Sequence, residues 1–417
     1  MTGSNPITAA QLAKLRALIA AIAPSNQFYA ARLQAADITE NVESLEAFST
    51  RMPLTTKADL VNDQTSHPPY GTNLTYPLER YTRFCQTSGT TSRPVAILDT
   101  SESWDWMLDN WAEIYRAAKI EAGACIYFAF SFGPFLGFWT GFEGAVRLGC
   151  RCLPGGGLTS AARLRAILEY RADVLCCTPT YALHLGEIAE SEGFDLSQSA
   201  VRKIVVAGEP GGSLPATREQ ISNAWHGAEV IDHYGMTEVG PTAFQNLGEP
   251  DILHIIDGSY YAEIIDPETT RPVPYGEVGE LVLTTLGRAA SPLLRYRTGD
   301  LVRRSPTTTG SMFSGGIIGR VDDMVVVRGV NLYPSAVDAV VRAIPEISEY
   351  RVEIHRRGAL AEASLDVECE SETSVEALSR AFATAFSMRI PVRRVSPGTL
   401  PRFEMKARRW TVKREEK

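Results

Sequence analysis

Three short apolar runs decide the fold: CIYFAF (125–130), VLCCTP (174–179) and KIVVAGE (203–209). The stretch AARLRAILEYR (161–171) lies between the first two runs, and TREQISNAW (217–225) follows the third. Both stretches have the apolar spacing of a helix. Short apolar strands that alternate with helices are typical of a parallel sheet covered by helices. The sequence therefore predicts a doubly wound α/β region in the middle of the chain.

The segments on either side of this region have different patterns. Before it, QLAKLRALIAAIA (11–23) has helical spacing. After it, HIIDGSYYAEIID (254–266) and GELVLTTL (279–286) flank a connector rich in turn-forming residues, which favours hairpins. Further strands and helices follow near the C-terminus. We therefore predict a large N-terminal domain of α/β sheets with a β-rich subdomain over residues 1–321, and a small mobile C-terminal α/β domain over residues 322–417.

Composition and charge exclude several classes of protein. The chain has 417 residues, 41 Lys and Arg against 49 Asp and Glu, and a formal net charge of −8. This balance argues against a nucleic-acid partner, because phosphate backbones are bound by an excess of Lys and Arg. The hydrophobic share of 44% excludes disorder as the main state. We see no secretory signal and no run of about 18 apolar residues, so we expect a cytoplasmic protein without a membrane span.

The seven cysteines are odd in number and mostly lie in apolar runs. We therefore expect buried free thiols rather than disulfides or a zinc site.

A run of hydroxyl residues with one glycine precedes the apolar stretch VAILD (95–99): Thr87, Ser88, Gly89, Thr90 and Thr91. Backbone N–H groups at a glycine, together with short hydroxyls, can wrap phosphate oxygens without steric cost. The run is not a Walker A motif, because no Gly-Lys-Ser/Thr follows at the required spacing. On its own it is compatible with phosphate binding and with an ordinary solvated turn.

A second motif, HYGMTE (233–238), follows the apolar residues EVI. It places an aromatic ring, Tyr234, and a carboxylate, Glu238, at a sheet edge, where α/β proteins hold ligands and where a carboxylate can bind a metal. The alternative is an ordinary corner between strand and loop with a packed tyrosine.

Two further motifs are YRTGD (296–300) and GRVDD (319–323). The carboxylate of Asp300 can accept hydrogen bonds from ribose hydroxyls, and an ion pair with Arg295 or Arg297 is its structural alternative. Each motif is weak alone, whereas their order and spacing together are specific.

In this order the motifs resemble the adenylate-forming superfamily of acyl- and aryl-CoA synthetases, carrier-protein adenylation domains and luciferases. The phenylacetate–CoA ligase branch is the most similar. The resemblance runs from about Leu54 to Arg409, and it also rests on LTTKADL (54–60), AGEP (207–210) and LPRFEMKAR (400–408).

The resemblance implies a role for each motif. Residues 87–91 would hold the triphosphate of ATP. Glu238 would ligate Mg²⁺, Thr237 would contact the α-phosphate or the reacting carboxylate, Lys406 would be the mobile catalytic lysine, and Asp322 would be the domain hinge. Other residues would border the adenine or hold the ribose: Gly208, Glu209, Pro210, Tyr234, Gly235, Asp300 and Arg320.

The acyl substrate is indicated by aromatic residues around FAFSFGPF (128–135). Aromatic density at this place often lines the acyl pocket in the family, and it would suit an aryl or arylacetic acid. The alternative is a strand and a helix start that pack the core. The candidate pocket residues are Tyr127, Phe130, Phe132, Gly133, Phe135, His184 and Ala207.

We therefore expect an ATP-dependent acid–CoA ligase that activates an aromatic carboxylic acid through an acyl-AMP intermediate and releases AMP and pyrophosphate. ATP, Mg²⁺ and coenzyme A are the expected cofactors, and the acid is the expected small-molecule partner. The alternative is a stand-alone adenylating enzyme that passes the activated group to a carrier-protein thiol, an amine or another nucleophile. Homodimers are common among proteins that resemble this one.

Overall fold

The structure is a computed structural model that describes residues 6–87, 93–305, 310–328, 330–357, 360–403 and 407–414. It begins with four helices: α1 (Pro6–Ile22), α2 (Gln27–Ala35), α3 (Leu45–Arg51) and α4 (Lys57–Ser66). The side chains of Asn26, Ser44 and Thr56 cap the N-termini of α2, α3 and α4 by accepting hydrogen bonds from backbone N–H groups. These caps explain why short helices with little apolar periodicity begin where they do.

A two-stranded antiparallel sheet follows, formed by β1 (Tyr81–Gln86) and β2 (Ala96–Thr100). The hydroxyl of Thr100 then caps α5 (Ser101–Ala117), whose buried face includes Trp104 and Trp111.

The central region alternates strands and helices as predicted. Strands β3 (Cys125–Phe128), β4 (Arg151–Pro154), β5 (Val174–Cys177), β6 (Lys203–Val206) and β7 (Glu229–Met236) pair in parallel in the order β4-β3-β5-β6-β7. Helices α6 (Leu136–Leu148), α7 (Ser160–Glu169), α8 (Pro179–Glu192) and α9 (Pro215–Ala224) connect them. The inner strands β3 and β5 are buried on both faces, as expected of a parallel sheet between helices, whereas the outermost strand β4 is partly exposed.

The β-rich part continues the same sheet rather than forming a separate one. It contains β8 (Gly240–Phe244), β9 (Ile252–Ile255), β10 (Tyr260–Ile265), β11 (Val278–Thr285), β12 (Tyr296–Arg304) and β13 (Met312–Arg320), which pair antiparallel. Because β8 pairs with β7, the described strands join into one eleven-stranded sheet in the order β10-β11-β12-β13-β9-β8-β7-β6-β5-β3-β4.

The C-terminal part has a sheet and a hydrophobic core of its own. Strands β14 (Val325–Val327) and β15 (Val330–Leu332) form a hairpin, and α10 (Pro334–Arg342) begins with proline at its first turn. Strands β16 (Glu349–Arg357), β17 (Leu360–Glu368), β18 (Val392–Val395) and β19 (Trp410–Arg414) form a sheet in the order β18-β17-β16-β19, with α11 (Glu372–Phe386) between β17 and β18. The mixed α/β fold is confirmed, whereas the boundary at residue 322 stays a prediction.

The cysteines are free, as predicted; Cys150 and Cys152 are half-buried and the other five are buried. Within the described residues no single helix is long and apolar enough to cross a membrane. Helices α1 and α2 meet that test only as a pair, bent by 116°.

A buried ion pair joins β2 to the segment that follows β11. The Arg288 side chain is fully buried, and its Nε and Nη2 donate to the two carboxylate oxygens of Asp99 at 2.7 and 2.5 Å. The remaining nitrogen, Nη1, donates to the Glu238 carbonyl at 2.6 Å. All three nitrogens of this guanidinium therefore have acceptors, which is the condition for a buried charge to be tolerated.

We expect Asp99→Ala to lower the free energy of unfolding by about 3–5 kcal/mol, because it leaves the buried Arg288 charge without its anion. Urea unfolding measures this loss. Asp109→Ala is the matched control, since Asp109 forms an exposed pair with Arg147 at 2.9 Å and should cost less than about 1 kcal/mol. Equal losses in the two variants would contradict the prediction.

His233 in β7 is a second buried ionisable group. Its Nδ1–H donates to the Ala243 carbonyl at 3.0 Å, and its ring lies 4.5 Å from that of Trp111. Burial lowers the pKa of His233 from 6.5 to about 4. Between pH 4 and 6.5 the imidazole is therefore mostly neutral in the folded state, whereas it is mostly protonated in the unfolded state.

The contribution of His233 to the free energy of unfolding is fully present above pH 6.5. It is lost as the pH falls towards 4, and the total loss is about 3 kcal/mol. We expect His233→Asn to remove this pH-dependent part of the unfolding free energy, whatever its effect at neutral pH. The exposed His226 provides the control: His226→Asn should leave the pH profile unchanged. A wild-type slope retained in His233→Asn would contradict the assignment.

Candidate active site

Three predicted residues, one each from β7, β12 and β13, are joined by hydrogen bonds, although β8 and β9 lie between β7 and β13 in the sheet. The register of β12 and β13 pairs Asp300 with Arg320, and Arg320 Nη1 donates to Asp300 Oδ1 at 3.1 Å. The Tyr234 hydroxyl donates to the other oxygen, Oδ2, at 2.7 Å. Burial, followed by the nearby Asp300 charge, raises the pKa of Tyr234. A carboxylate is thus fixed between an aromatic ring and a guanidinium at one edge of the sheet.

Gly299 allows this close approach. Its φ is +76°, a conformation that side chains disfavour, and a Cβ at this position would lie 2.8 Å from Arg320 Nη2. Any larger residue would push the guanidinium away from Asp300, which explains the glycine of the YRTGD motif.

Glu238 lies next to this group. Its side chain is 5% exposed, and its Oε1 lies 3.3 Å from Lys57 Nζ and 3.4 Å from the Tyr296 hydroxyl. Arg288 Nη1 holds the Glu238 carbonyl and also lies 3.5 Å from the carbonyl of the half-buried Thr237. The buried ion pair of the core therefore positions the backbone of two of the three residues to which the family resemblance assigns catalysis.

The donor set fits Mg²⁺ bound together with a nucleotide. Within the described residues no group of three or more His, Cys, Asp and Glu side chains could form an all-protein metal site. Mg²⁺ is usually held by one or two carboxylates plus substrate phosphates and water. Glu238, whose carboxylate lies 3.3 Å from the Lys57 ammonium group, would serve as such a single carboxylate ligand.

Lys57 and Tyr296 have no role in the sequence-based assignment. Lys57 belongs to LTTKADL, but it follows the cap Thr56 of a capping box with Asp59, so its position resembles an ordinary helix start. The contact of Lys57 with Glu238, which is far away in the sequence, could not be predicted from the spacing of residues.

The AGEP segment forms a tight turn after β6. Gly208 has a φ of +95°, and Pro210 is exposed. Glu209 accepts hydrogen bonds from the Thr180 N–H at 2.9 Å and from the Ala407 N–H at 2.8 Å. The carboxylate of Glu209 therefore joins the start of α8 to the C-terminal part of the chain.

Gly235 lies in a crowded stretch of backbone. A Cβ at this position would meet the Gly240 carbonyl oxygen at 2.8 Å. The glycine therefore permits the close pairing of β7 with β8 that follows Tyr234.

Thr87 is buried at the end of β1 and exchanges two hydrogen bonds with Val95, each of 3.0 Å. Four other predicted phosphate-binding residues and the predicted catalytic lysine lie outside the described residues: Ser88, Gly89, Thr90, Thr91 and Lys406.

Three aromatic residues of the predicted acyl pocket, Phe130, Phe132 and Phe135, belong to one cluster of rings. Phe130 stacks on Phe138 with ring centroids 4.2 Å apart, and Phe135 meets the same ring at 5.9 Å. Phe132 packs edge-on against Trp139 at 5.2 Å, and the Gly133 carbonyl accepts a hydrogen bond from the Trp139 indole at 3.0 Å.

This cluster lies beside the end of β1. The Pro134 carbonyl accepts a hydrogen bond of 2.8 Å from the Gln86 N–H, the residue before Thr87. Ala207, also predicted for the pocket, bonds the Cys177 carbonyl just before the AGEP turn.

The structure places Tyr127 and His184 elsewhere. Tyr127 is buried against α7 and α8, on the face of β3 opposite Phe128, and burial raises its pKa to about 12. His184 lies on α8, with Nδ1 3.6 Å from Glu187 Oε2. Neither residue is among the rings that contact Phe130, Phe132 or Phe135, and their contacts with the acid stay a prediction.

Comparisons with known proteins bear on this arrangement. Residues 13–289 match the family model described as AMP-binding enzyme, and residues 329–414 match that of the AMP-binding enzyme C-terminal domain. A phenylacetate-coenzyme A ligase of Thermus thermophilus is 34% identical over 87% of this chain and 81% of its own length. The corresponding ligase of Escherichia coli is 33% identical over 86% and 83%.

Solved structures of a CoA ligase are similar to this chain along nearly its whole length. A 2-hydroxyisobutyryl-CoA ligase in the postadenylation state, in complex with 2-HIB-AMP, is 29% identical and superposes with a TM-score of 0.91 over 98% of this chain and 90% of its own. In the thioesterification state, with 2-HIB-AMP and CoA, the same ligase gives 0.74 over 99% and 91%. The predicted family is confirmed: this chain belongs to the AMP-binding enzymes, the family that the resemblance identified as adenylate-forming.

Proposed function

We propose that this protein is an ATP-dependent acid–CoA ligase. It joins a carboxylic acid to the α-phosphate of ATP, releases pyrophosphate, and transfers the acyl group of the resulting acyl-AMP to the thiol of coenzyme A with release of AMP. The observation that carries the proposal is the group of Tyr234, Asp300 and Arg320 beside Glu238, in a chain that shares about a third of its residues with phenylacetate-CoA ligases.

The nucleotide binds along this edge of the sheet. Asp300 accepts hydrogen bonds from the ribose hydroxyls, and the hydrogen bond from Arg320 orients its carboxylate. The ring of Tyr234 stacks on the adenine, which the turn at residues 208–210 borders. The hydroxyl-rich run that begins at Thr87 lies at the phosphate end.

The first step brings two anions together, because a carboxylate attacks a phosphate. The site must therefore neutralise the negative charge that grows as the bond to phosphorus forms and the bond to pyrophosphate breaks. Glu238 holds Mg²⁺, which supplies positive charge at the phosphates when bound. Thr237 donates a hydrogen bond to the reacting oxygens, and Lys406 brings its ammonium group to them.

The second step requires the thiol of coenzyme A at the acyl carbonyl, where Lys406 would obstruct it. We propose that the part of the chain after residue 321 moves as one domain about Asp322, whose carboxylate accepts from Arg320 Nε at 2.8 Å. The separate core of that part supports the division. The two TM-scores, at nearly equal coverage, support a change in domain arrangement between the two steps.

The acid is an aryl or arylacetic acid. Its ring packs against the cluster of Phe130, Phe132 and Phe135, which lies beside the start of the phosphate-binding run. The aromatic rings supply apolar surface and edge-to-face contacts that an aliphatic acid would use less well.

Pyrophosphate release with phenylacetate, benzoate or 2-hydroxyisobutyrate, measured with and without coenzyme A, tests the function. We expect release with an aromatic acid, and a matching amount of thioester and AMP only when coenzyme A is present. Release that coenzyme A does not convert into thioester would favour another acceptor. No acid-dependent release from any of the three acids would contradict the proposal.

We expect Lys406→Ala to slow acyl-AMP formation by about 10²–10³-fold, because it removes charge stabilisation from one transition state. Thioester formation from supplied acyl-AMP should change less than about threefold, since the lysine has left the site by then. Lys413→Ala is the control, because the exposed Lys413 of β19 forms an ion pair with Glu353 of β16. Equal losses in both half-reactions would refute the assignment of Lys406.

A further inference from the structure

Two carboxylates of the N-terminal part bind the residues that flank positions 404–406. On one side, Arg402 Nε donates to Glu187 Oε2 at 2.9 Å. On the other, the Ala407 N–H donates to Glu209 Oε2 at 2.8 Å. The segment that includes Lys406 is therefore held at both of its described ends by acceptors from the other domain.

Both acceptors are tied to helix α8. Glu187 lies within this helix, and the second oxygen of Glu209 accepts from the Thr180 N–H at its start. A helix packed between the central sheet and its neighbours is a rigid reference. The two contacts therefore fix the position of the flanking residues relative to β7, which carries Tyr234, and to the turn after it, which carries Glu238.

The arginine is shared between the domains. Its Nη2 donates at 2.9 Å to Glu368, a fully buried carboxylate at the end of β17 that also accepts from the Gly398 N–H. Glu368 keeps Arg402 in place on the C-terminal domain, so the guanidinium is already oriented when it meets Glu187. Charge-assisted hydrogen bonds of this kind are stronger than neutral ones.

We propose that Glu187 and Glu209 are positioning residues that hold the Lys406 segment at the nucleotide site for acyl-AMP formation and release it for the thioester step. This inference rests on the proposed function, because it assigns the contacts to one of its two half-reactions. The structure superposes better on the postadenylation state of the 2-hydroxyisobutyryl-CoA ligase than on its thioesterification state. Rotation of the C-terminal domain separates both pairs, since their partners lie on different domains.

Glu187→Ala tests the proposal, because alanine keeps α8 helical and Glu187 lies outside the proposed nucleotide and acyl sites. With the acid that gives the strongest wild-type signal, we expect acid-dependent exchange of pyrophosphate into ATP to fall about 3- to 10-fold. Thioester formation from the supplied acyl-AMP and coenzyme A should stay equal to the wild type or rise. Glu372→Ala is the matched control, since Glu372 pairs with Arg394 at 2.8 Å within the C-terminal domain; both half-reactions should stay unchanged.

Deuterium uptake at the Ala407 amide, followed by mass spectrometry, gives a readout that needs no turnover. We expect faster uptake in Glu187→Ala than in the wild type and the Glu372→Ala control. Unchanged uptake, unchanged pyrophosphate exchange, or an equal loss in both half-reactions would overturn the proposal. If no acid supports exchange in the wild type, the proposed function fails, and the uptake measurement still decides whether Glu187 holds the segment.

Discussion

The site depends on one buried charge. Arg288 is fully buried between β2 and the loop after β7, and its three nitrogens bind Asp99 and the Glu238 carbonyl. An uncompensated guanidinium in such a place would be very costly, so the elements that supply its acceptors are constrained to stay together. The position of the Glu238 backbone, and with it the carboxylate that faces Lys57, follows from this constraint.

The sequence predicted those parts of the fold and site that depend on local pattern. Alternating apolar runs and helices predicted the parallel strands, and Tyr234, Asp300 and Arg320 meet as the order of motifs implied. Strand alternation also explains why Tyr127 and Phe128 belong to different hydrophobic clusters, because successive residues of β3 face opposite sides of the sheet.

Contacts between distant segments were not predictable from spacing. Lys57 and Glu238 are in contact although most of the sequence of the N-terminal domain lies between them. Arg288 contacts Asp99 only when β2 and the segment after β11 are packed together. The sequence also did not show that the β-rich part continues the parallel strands in one sheet, because this too depends on a pairing that spacing does not specify. The pairing of β8 with β7 joins the two parts, and a pattern of turns shows where strands end but not which strands they join.

The double attachment of Arg402 also bears on how fast the domains can separate. When the contact with Glu187 breaks, the guanidinium keeps the buried carboxylate of Glu368, so the arginine has a counterion throughout the movement. The half-exposed Glu187 is solvated by water as soon as it is freed. Opening therefore breaks the hydrogen bonds to Glu187 and Glu209 without leaving a buried guanidinium unpaired, so the movement avoids the cost of stripping a buried charge of its partner.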